Sequence, residues 1–554
     1  MPRYVLGLDF GTESGRVMLV DVETGEEAAW TVVDYPHGVL DRQLPNGALL
    51  ESESALQDPQ DYLTVLDEGV SATLHKASAK AEDVVGIGVS FTACTVLPTR
   101  RNGEPLCIEP EFCDNPHAWV KLWKHHAAQP QAERINQAAR SRSEPFLTLY
   151  GGGYSSEWMF SKVLETLEKA PEVYAAAERY LEAGDWLIWQ LTGRESRSEC
   201  AAGYKGMWRK GEGYPGPDFF AALHPGFRDV VAEKIEAPLT PLGEAAGELT
   251  AEVAERLGLR AGVPVAAFVI DAHAGAPACG LLGPGRMAMI MGTSNCHMLL
   301  SESERQVPGV AGLVQDGILP GFWGYEAGQP AVGDLFAWFF RAGIPAQLAE
   351  EAAERGVTPA DLLTDQAARL RPGESGLVAL DWWNGCRSIL MDAELSGVLV
   401  GATLATRPAE VYRALVEAAA FGTRKIVEAF EANGAPVREI VACGGLAERS
   451  PFVVQTFANV CGRPIRLPRS FQASGLGAAI HAAVAAGVYG DFPSAVEAMA
   501  DFRPHAFEPD AEAGAVYDEI YQVYNRLHDV FGREERALMS RLRALRRAAT
   551  AAPS

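Results

Sequence analysis

Leu8-Asp9-Phe10-Gly11-Thr12-Glu13-Ser14-Gly15 reads as the end of a short strand running into a polar, glycine-bearing turn. The apolar run 4–8 precedes the turn and the run 16–21 follows it, each of strand length. Thr24-Gly25 then punctuates the chain before a third strand over 28–33. Asp58-Pro59 opens a helix, with Asp58 as N-cap and Pro59 in the first turn. Its apolar positions Tyr62, Leu66, Val70 and Leu74 step by four along one face. A buried strand over 84–89 follows, so the order is three strands, a helix and a strand.

The same opening recurs about half a chain later. The apolar run 287–291 leads into Gly292-Thr293-Ser294-Asn295, and a second apolar run covers 296–300. Both turns begin Gly-Thr between short strands, which predicts two domains of one ancestry facing each other. A chain of 554 residues is in any case too long for a single core. Further on, the apolar run 263–270 ends at Asp271-Ala272-His273, where a helix begins near His273 and Asp271 can serve as its N-cap. Residues 437–444 form a strand ending in Gly-Gly, 451–461 and 473–486 read as helices, and 511–548 as a solvated helical tail.

Composition narrows the function. With 48 basic against 72 acidic residues the net charge is −24, which argues against nucleic acid or an anionic membrane as partner. The nine cysteines form no C-x-x-C pair, so zinc and disulfide frameworks lose support and a cytoplasmic enzyme is expected. The stretch 473–490 is rich in Ala and Gly and carries His481, the pattern of a buried helix rather than a membrane span. Gly-Lys occurs nowhere, which removes a Walker A loop, and the G-x-G-x-x-G at Gly211, Gly213 and Gly216 follows no strand.

The two turns are suited to phosphates. Glycine lets backbone N–H groups approach an anion, while Thr12, Ser14, Thr293 and Ser294 add hydroxyl donors. Asp9 is a hard oxygen ligand at a strand end, fit for a hydrated Mg²⁺. Asp271, after a buried strand, can point into a cleft and accept a hydroxyl proton. The plainer readings are hairpin turns for the loops and capping roles for both aspartates.

Longer motifs carry a resemblance. Leu8-Asp9-Phe10-Gly11-Thr12 resembles the opening phosphate motif of the superfamily of actin, heat-shock chaperones and sugar kinases. Gly184-Asp185-Trp186-Leu187-Ile188-Trp189-Gln190-Leu191-Thr192-Gly193 is similar to the D-[YW]-L-x-x-x-L-T-G stretch of the FGGY carbohydrate kinases. Met291-Gly292-Thr293-Ser294 resembles their second phosphate motif and Ala442-Cys443-Gly444-Gly445 their adenosine motif. Tyr150-Gly151-Gly152-Gly153-Tyr154, Gly203-Tyr204-Lys205 and Tyr325-Glu326-Ala327-Gly328-Gln329 resemble the branch that phosphorylates ribulose.

That resemblance implies an α/β fold of two ribonuclease-H-like domains with a catalytic cleft between them. Residues 1–270 would bind sugar and carry the first phosphate motif, 271–505 would bind ATP, and 506–554 would form the helical tail. The implied reaction moves the γ-phosphoryl of ATP to the terminal hydroxyl of a pentulose, with Mg²⁺ held through water by Asp9. Asp271 would be the base, and Ala93, Lys205, Asp271 and Glu326 would contact the sugar. Gly11, Thr12, Ser14, Gly292, Thr293, Ser294, Gly444, Gly445 and Ser450 would hold ATP. Ser90, Ser450 and Asn459 depart from the branch's pattern, which has Asp, Asn and Asp there. Two other readings fit the motifs: a family member acting on xylulose, ribitol or glycerol, and an ATP-dependent clamp without sugar chemistry. Homodimerisation is expected only from the general frequency of symmetric pairs.

Overall fold

The computed structural model describes residues 3–550; residues 551–554 of the expected tail lie outside the described residues. The first sheet is built by β1 (Tyr4–Phe10), β2 (Ser14–Asp21) and β3 (Glu27–Asp34), then helix α1 (Pro59–Ala77) and strand β4 (Val84–Phe91). After a long insertion containing helix α2 (Glu199–Lys205) come β5 (Pro264–Ala266), the short β6 (Val269–Ile270) and helix α3 (Asp271–Ala278). β1 pairs antiparallel with β2 and parallel with β4. Its residues from Val5 to Phe10 are all buried, as befits a central strand covered on both faces.

The second sheet repeats this plan. β7 (Gly285–Met291), β8 (Asn295–Ser301) and β9 (Trp323–Gln329) are antiparallel neighbours. Helices α4 (Gly333–Ala342) and α5 (Pro408–Ala432) lead to β10 (Val437–Cys443), which pairs parallel with β7. Then follow α6 (Gly445–Arg449), α7 (Pro451–Cys461), β11 (Ile465–Arg466), α8 (Ala473–Ala485) and α9 (Ala511–Asp529). Apart from an edge strand in each sheet (Ala245–Glu248 beyond β5, Leu313–Gln315 beyond β9), the strands run β3-β2-β1-β4-β5 and β9-β8-β7-β10-β11. Counted within each unit, both orders are 3-2-1-4-5, the ribonuclease-H-like arrangement that the family resemblance implied.

Local chemistry sets most boundaries. Asp58 caps α1 by accepting the Gln60 N–H at 2.9 Å, and Ser78 ends it in a left-handed conformation. The strands outrun the expected limits on both sides of the first turn, because Asp9 pairs with Arg16 and Phe10 with Gly15. The turn is therefore only Gly11, Thr12 and Glu13 between strands. Likewise Asn295 is the first residue of β8 rather than part of the second turn. The helix expected near His273 begins at Asp271, which stands in its first turn instead of capping it.

Three cores result. One lies around the first sheet, one around the second, and a third fills the insertion, with Trp158, Phe160, Phe220 and Phe227 among its members. Helix α8 follows the second sheet in sequence but belongs to the first core through Leu476, Ala479, Ile480 and Ala483. It crosses β1, β4 and α3 at backbone contact. A Cβ on Gly7 would lie 2.1 Å from the Gly475 carbonyl oxygen, and one on Gly477 only 1.6 Å from that of Ala274. The tail is not merely solvated: Tyr517, Tyr521 and Tyr524 of α9 pack on Phe421 in the second core. Among the described residues, no helix is long and apolar enough to cross a membrane.

Candidate active site

Strand register assembles the first cluster. β1 lies between β2 and β4, so Asp9 has Arg16 on one side and Ser90 on the other. Arg16 Nη1 donates to Asp9 Oδ2 at 3.2 Å and Ser90 Oγ to Asp9 Oδ1 at 3.0 Å. Burial raises the Asp9 pKa, and the Arg16 guanidinium opposes that rise. The register itself could have revealed Arg16, since both residues flank a short hairpin turn symmetrically. Ser90 is thus engaged with Asp9.

The first turn is braced from three directions. Gly11 N–H closes it onto the Ser14 carbonyl at 3.0 Å. Tyr35 Oη donates to the Gly11 carbonyl at 3.0 Å, Gln57 Nε2 to the Thr12 carbonyl at 2.7 Å, and Trp123 Nε1 to Thr12 Oγ1 at 3.0 Å. These braces were not read from the sequence, because each lies 24 or more residues from its partner. The second turn closes in the same way, with Gly292 N–H on the Ser294 carbonyl at 2.9 Å. Its carbonyls face the start of α4: Gly333 N–H donates to Gly292 and Asp334 N–H to Thr293. Otherwise unpaired N-terminal N–H groups of the helix are thereby satisfied.

β7 and β10 run side by side, which places Gly444 against the second turn. Gly444 has φ +93°, and a Cβ there would lie 2.6 Å from the Met291 carbonyl oxygen. Only glycine fits that approach. Gly445 opens α6, and Ser450 caps α7 by accepting the Val453 N–H at 3.4 Å. Asn459 lies at the other end of α7. There its Oδ1 accepts the Asp510 N–H at 2.9 Å, which ties it to the start of α9 rather than to the Gly444 region.

Asp271 follows β6, whose Val269 and Ile270 pair with Ser90 and Phe91 of β4. It therefore stands at the end of β4, two residues beyond which lies the half-buried Ala93. Its Oδ1 accepts the Ala272 N–H at 2.7 Å. Burial, reinforced by the negative charge of Asp9, pushes its pKa up to about 7. Lys205, at the end of α2, and Glu326, in β9, meet across the two halves with Nζ 2.7 Å from Oε2 and 3.0 Å from Oε1. Burial disfavours both charges, but the pair overrides it: Lys205 is raised and Glu326 lowered. The result is one carboxylate poised to take a proton beside a fixed donor–acceptor pair.

The chain resembles known proteins over nearly its whole length. The sequence patterns of the FGGY family of carbohydrate kinases match residues 4–277 for its N-terminal domain and 287–486 for its C-terminal domain. A ribulokinase of Halalkalibacterium halodurans is 50% identical over 549 residues, covering 98% of each chain. One of Mycolicibacterium smegmatis is 49% identical over 547 residues, covering 98% of this chain and 97% of its own. Among solved structures, a gluconate kinase from Lactobacillus acidophilus superposes with a TM-score of 0.79 at 18% identity, covering 96% of this chain and 99% of its own. A xylulose kinase from Rhodospirillum rubrum gives 0.77 at 23% identity, with the same coverage. At such identities these two likenesses concern the fold.

Proposed function

The chain belongs to the FGGY family of carbohydrate kinases, and from that premise we propose that it transfers the γ-phosphoryl of ATP to the terminal 5-hydroxyl of L-ribulose. The observation that carries the reading is Asp271, a buried carboxyl whose pKa is pushed up to about 7 and whose charge is felt by the Lys205–Glu326 pair. Whole-length relatives at about half identity, all bearing the name ribulokinase, support the choice of sugar.

Lys205 donates to and Glu326 accepts from the sugar's hydroxyls, which fixes the pentulose in one orientation. Ala93 presents no bulky side chain to the acceptor. Asp271 accepts the proton of the 5-hydroxyl as the oxygen attacks the γ-phosphorus and the bond to the β-phosphate oxygen breaks. The turns at Gly11, Thr12 and Ser14 and at Gly292, Thr293 and Ser294 cradle the phosphates, with the threonine and serine hydroxyls as donors, while the Gly11 and Gly292 N–H groups close the turns themselves. Gly444 and Gly445 run beneath the adenosine, with Ser450 close behind. Asp9 suits a hydrated Mg²⁺, because Arg16 and Ser90 each occupy one of its oxygens once and leave further lone pairs. When bound, that ion neutralises charge on the phosphates.

The test is ADP release from MgATP with L-ribulose, D-ribulose, xylulose or glycerol added separately, beside a control without sugar. Strong stimulation by L-ribulose is expected. Stimulation by xylulose or glycerol alone would overturn the choice of sugar, and turnover indifferent to every polyol would overturn the kinase reading.

A further inference from the structure

His273 takes no part in the reaction as described, although it lies two residues beyond Asp271. Its side chain is wholly buried, yet neither ring nitrogen has a hydrogen-bond partner among the described residues. Buried polar groups are almost always paired, so such a group calls for a reason. The ring packs on Tyr204 with centroids 4.2 Å apart, and its Nε2 stops 3.4 Å from Glu326 Oε2. That oxygen already accepts from Lys205 at 2.7 Å. Burial lowers the imidazole pKa to about 4, so the ring is neutral and offers one N–H.

We propose that His273 is a positioning residue that directs its Nε2–H at Glu326 Oε2, and so fixes the carboxylate that receives the sugar's hydroxyls. The inference rests on the reading of Glu326 as a sugar contact. Residues two apart on a helix face different ways. One turn of α3 thus turns Asp271 toward the reacting hydroxyl and His273 toward the back of Glu326. Tyr204 and Lys205 are consecutive in α2, one against the imidazole and the other on the same carboxylate. α2, α3 and β9 therefore converge on one glutamate. Lys205 alone could let that carboxylate swing about a single cation; a second donor from another element fixes its plane.

Steady-state kinetics of the full chain with L-ribulose and MgATP test this. His273→Phe keeps the ring and removes the donor, His273→Asn withdraws the donor, and His273→Gln places an N–H near the position of Nε2. His273→Phe and His273→Asn are expected to raise KM for L-ribulose by about tenfold or more, with KM for ATP within about twofold. His273→Gln is expected to stay within about threefold of the native value. In the Glu326→Gln background, His273→Asn should add less than about twofold, since its target is already altered. A purely structural histidine would lower thermal stability in all three variants and leave the sugar KM unmoved, which would overturn the proposal. Losses that multiply with Glu326→Gln would overturn it too. Should His273→Phe fail to fold, the Asn and Gln variants decide. The unsubstituted chain separates the two levels of failure. If it turns over L-ribulose while His273→Asn has a native sugar KM, only the role of His273 falls; if it turns over no pentulose, the kinase reading falls and takes this role with it.

Discussion

Lys205 Nζ lies 2.7 Å from Glu326 Oε2, so a buried lysine ending α2 and a largely buried glutamate in β9 form one ion pair between the two halves of the molecule. Removing one partner leaves the other charge buried and unpaired. Lys205→Met should therefore cost about 3–5 kcal/mol of stability, read by urea unfolding. KM for L-ribulose should rise by about tenfold or more while KM for ATP stays nearly unchanged. Native stability together with a native sugar KM would remove the pair from the site.

Asp271 gives a pH profile with a definite sign. A base with a pKa of about 7 is protonated below neutrality, so kcat/KM should fall about tenfold per pH unit below that point. Asp271→Asn should lower kcat by roughly 10²–10⁴-fold and abolish this limb. Stability moves the other way. The folded state binds the Asp271 proton more tightly than the unfolded chain, so this group's contribution is fully present below about pH 4 and is lost as pH rises through about 7. Asp271→Asn should accordingly raise the thermal midpoint at pH 8 relative to the native chain. A pH-independent difference would count against the buried carboxyl as its source.

Ser90 and Asp9 predict a Mg²⁺ phenotype. Ser90→Ala removes the donor that orients Asp9 and should raise the Mg²⁺ concentration for half-maximal velocity by about tenfold. Asp9→Asn should do so more strongly. If Ser90→Ala instead changed only the sugar KM, Ser90 would belong to the sugar pocket and the choice of polyol would have to be revisited.

The crossing of α3 and α8 predicts a purely structural effect. A Cβ on Gly477 would fall 1.6 Å from the Ala274 carbonyl oxygen, a backbone atom of α3. Gly477→Ala should destabilise by about 3 kcal/mol or more. Gly283→Ala, with nothing within 4 Å of the added carbon, should be neutral within about 0.5 kcal/mol. Equal stabilities in urea would show that the helices can part without penalty.

Much of the site is local and was therefore legible. A strand, a Gly-Thr turn and a returning strand are written in consecutive residues, and the repetition of that unit by itself implied two similar halves. The longer motifs pointed to Asp9, Asp271, Lys205 and Glu326 as well, but said nothing of how these side chains meet. Several expectations failed at element edges, the start of α3 among them. The strands extended to Phe10 and Asn295 because pairing with neighbouring strands, absent from a linear reading, continued that far.

The sequence by itself determined the repeated αβ units and the chemistry of their turns, because side-chain periodicity and glycine backbone freedom act over a few residues. Only the tertiary structure decided that Ser90 serves Asp9, that Asn459 serves the tail, and that α8 closes the first core. It alone also brought His273 to within 3.4 Å of Glu326 and raised Asp271 to about 7. Such contacts join residues far apart in the chain, and desolvation sums everything packed around a group, so neither is written in any short stretch of residues.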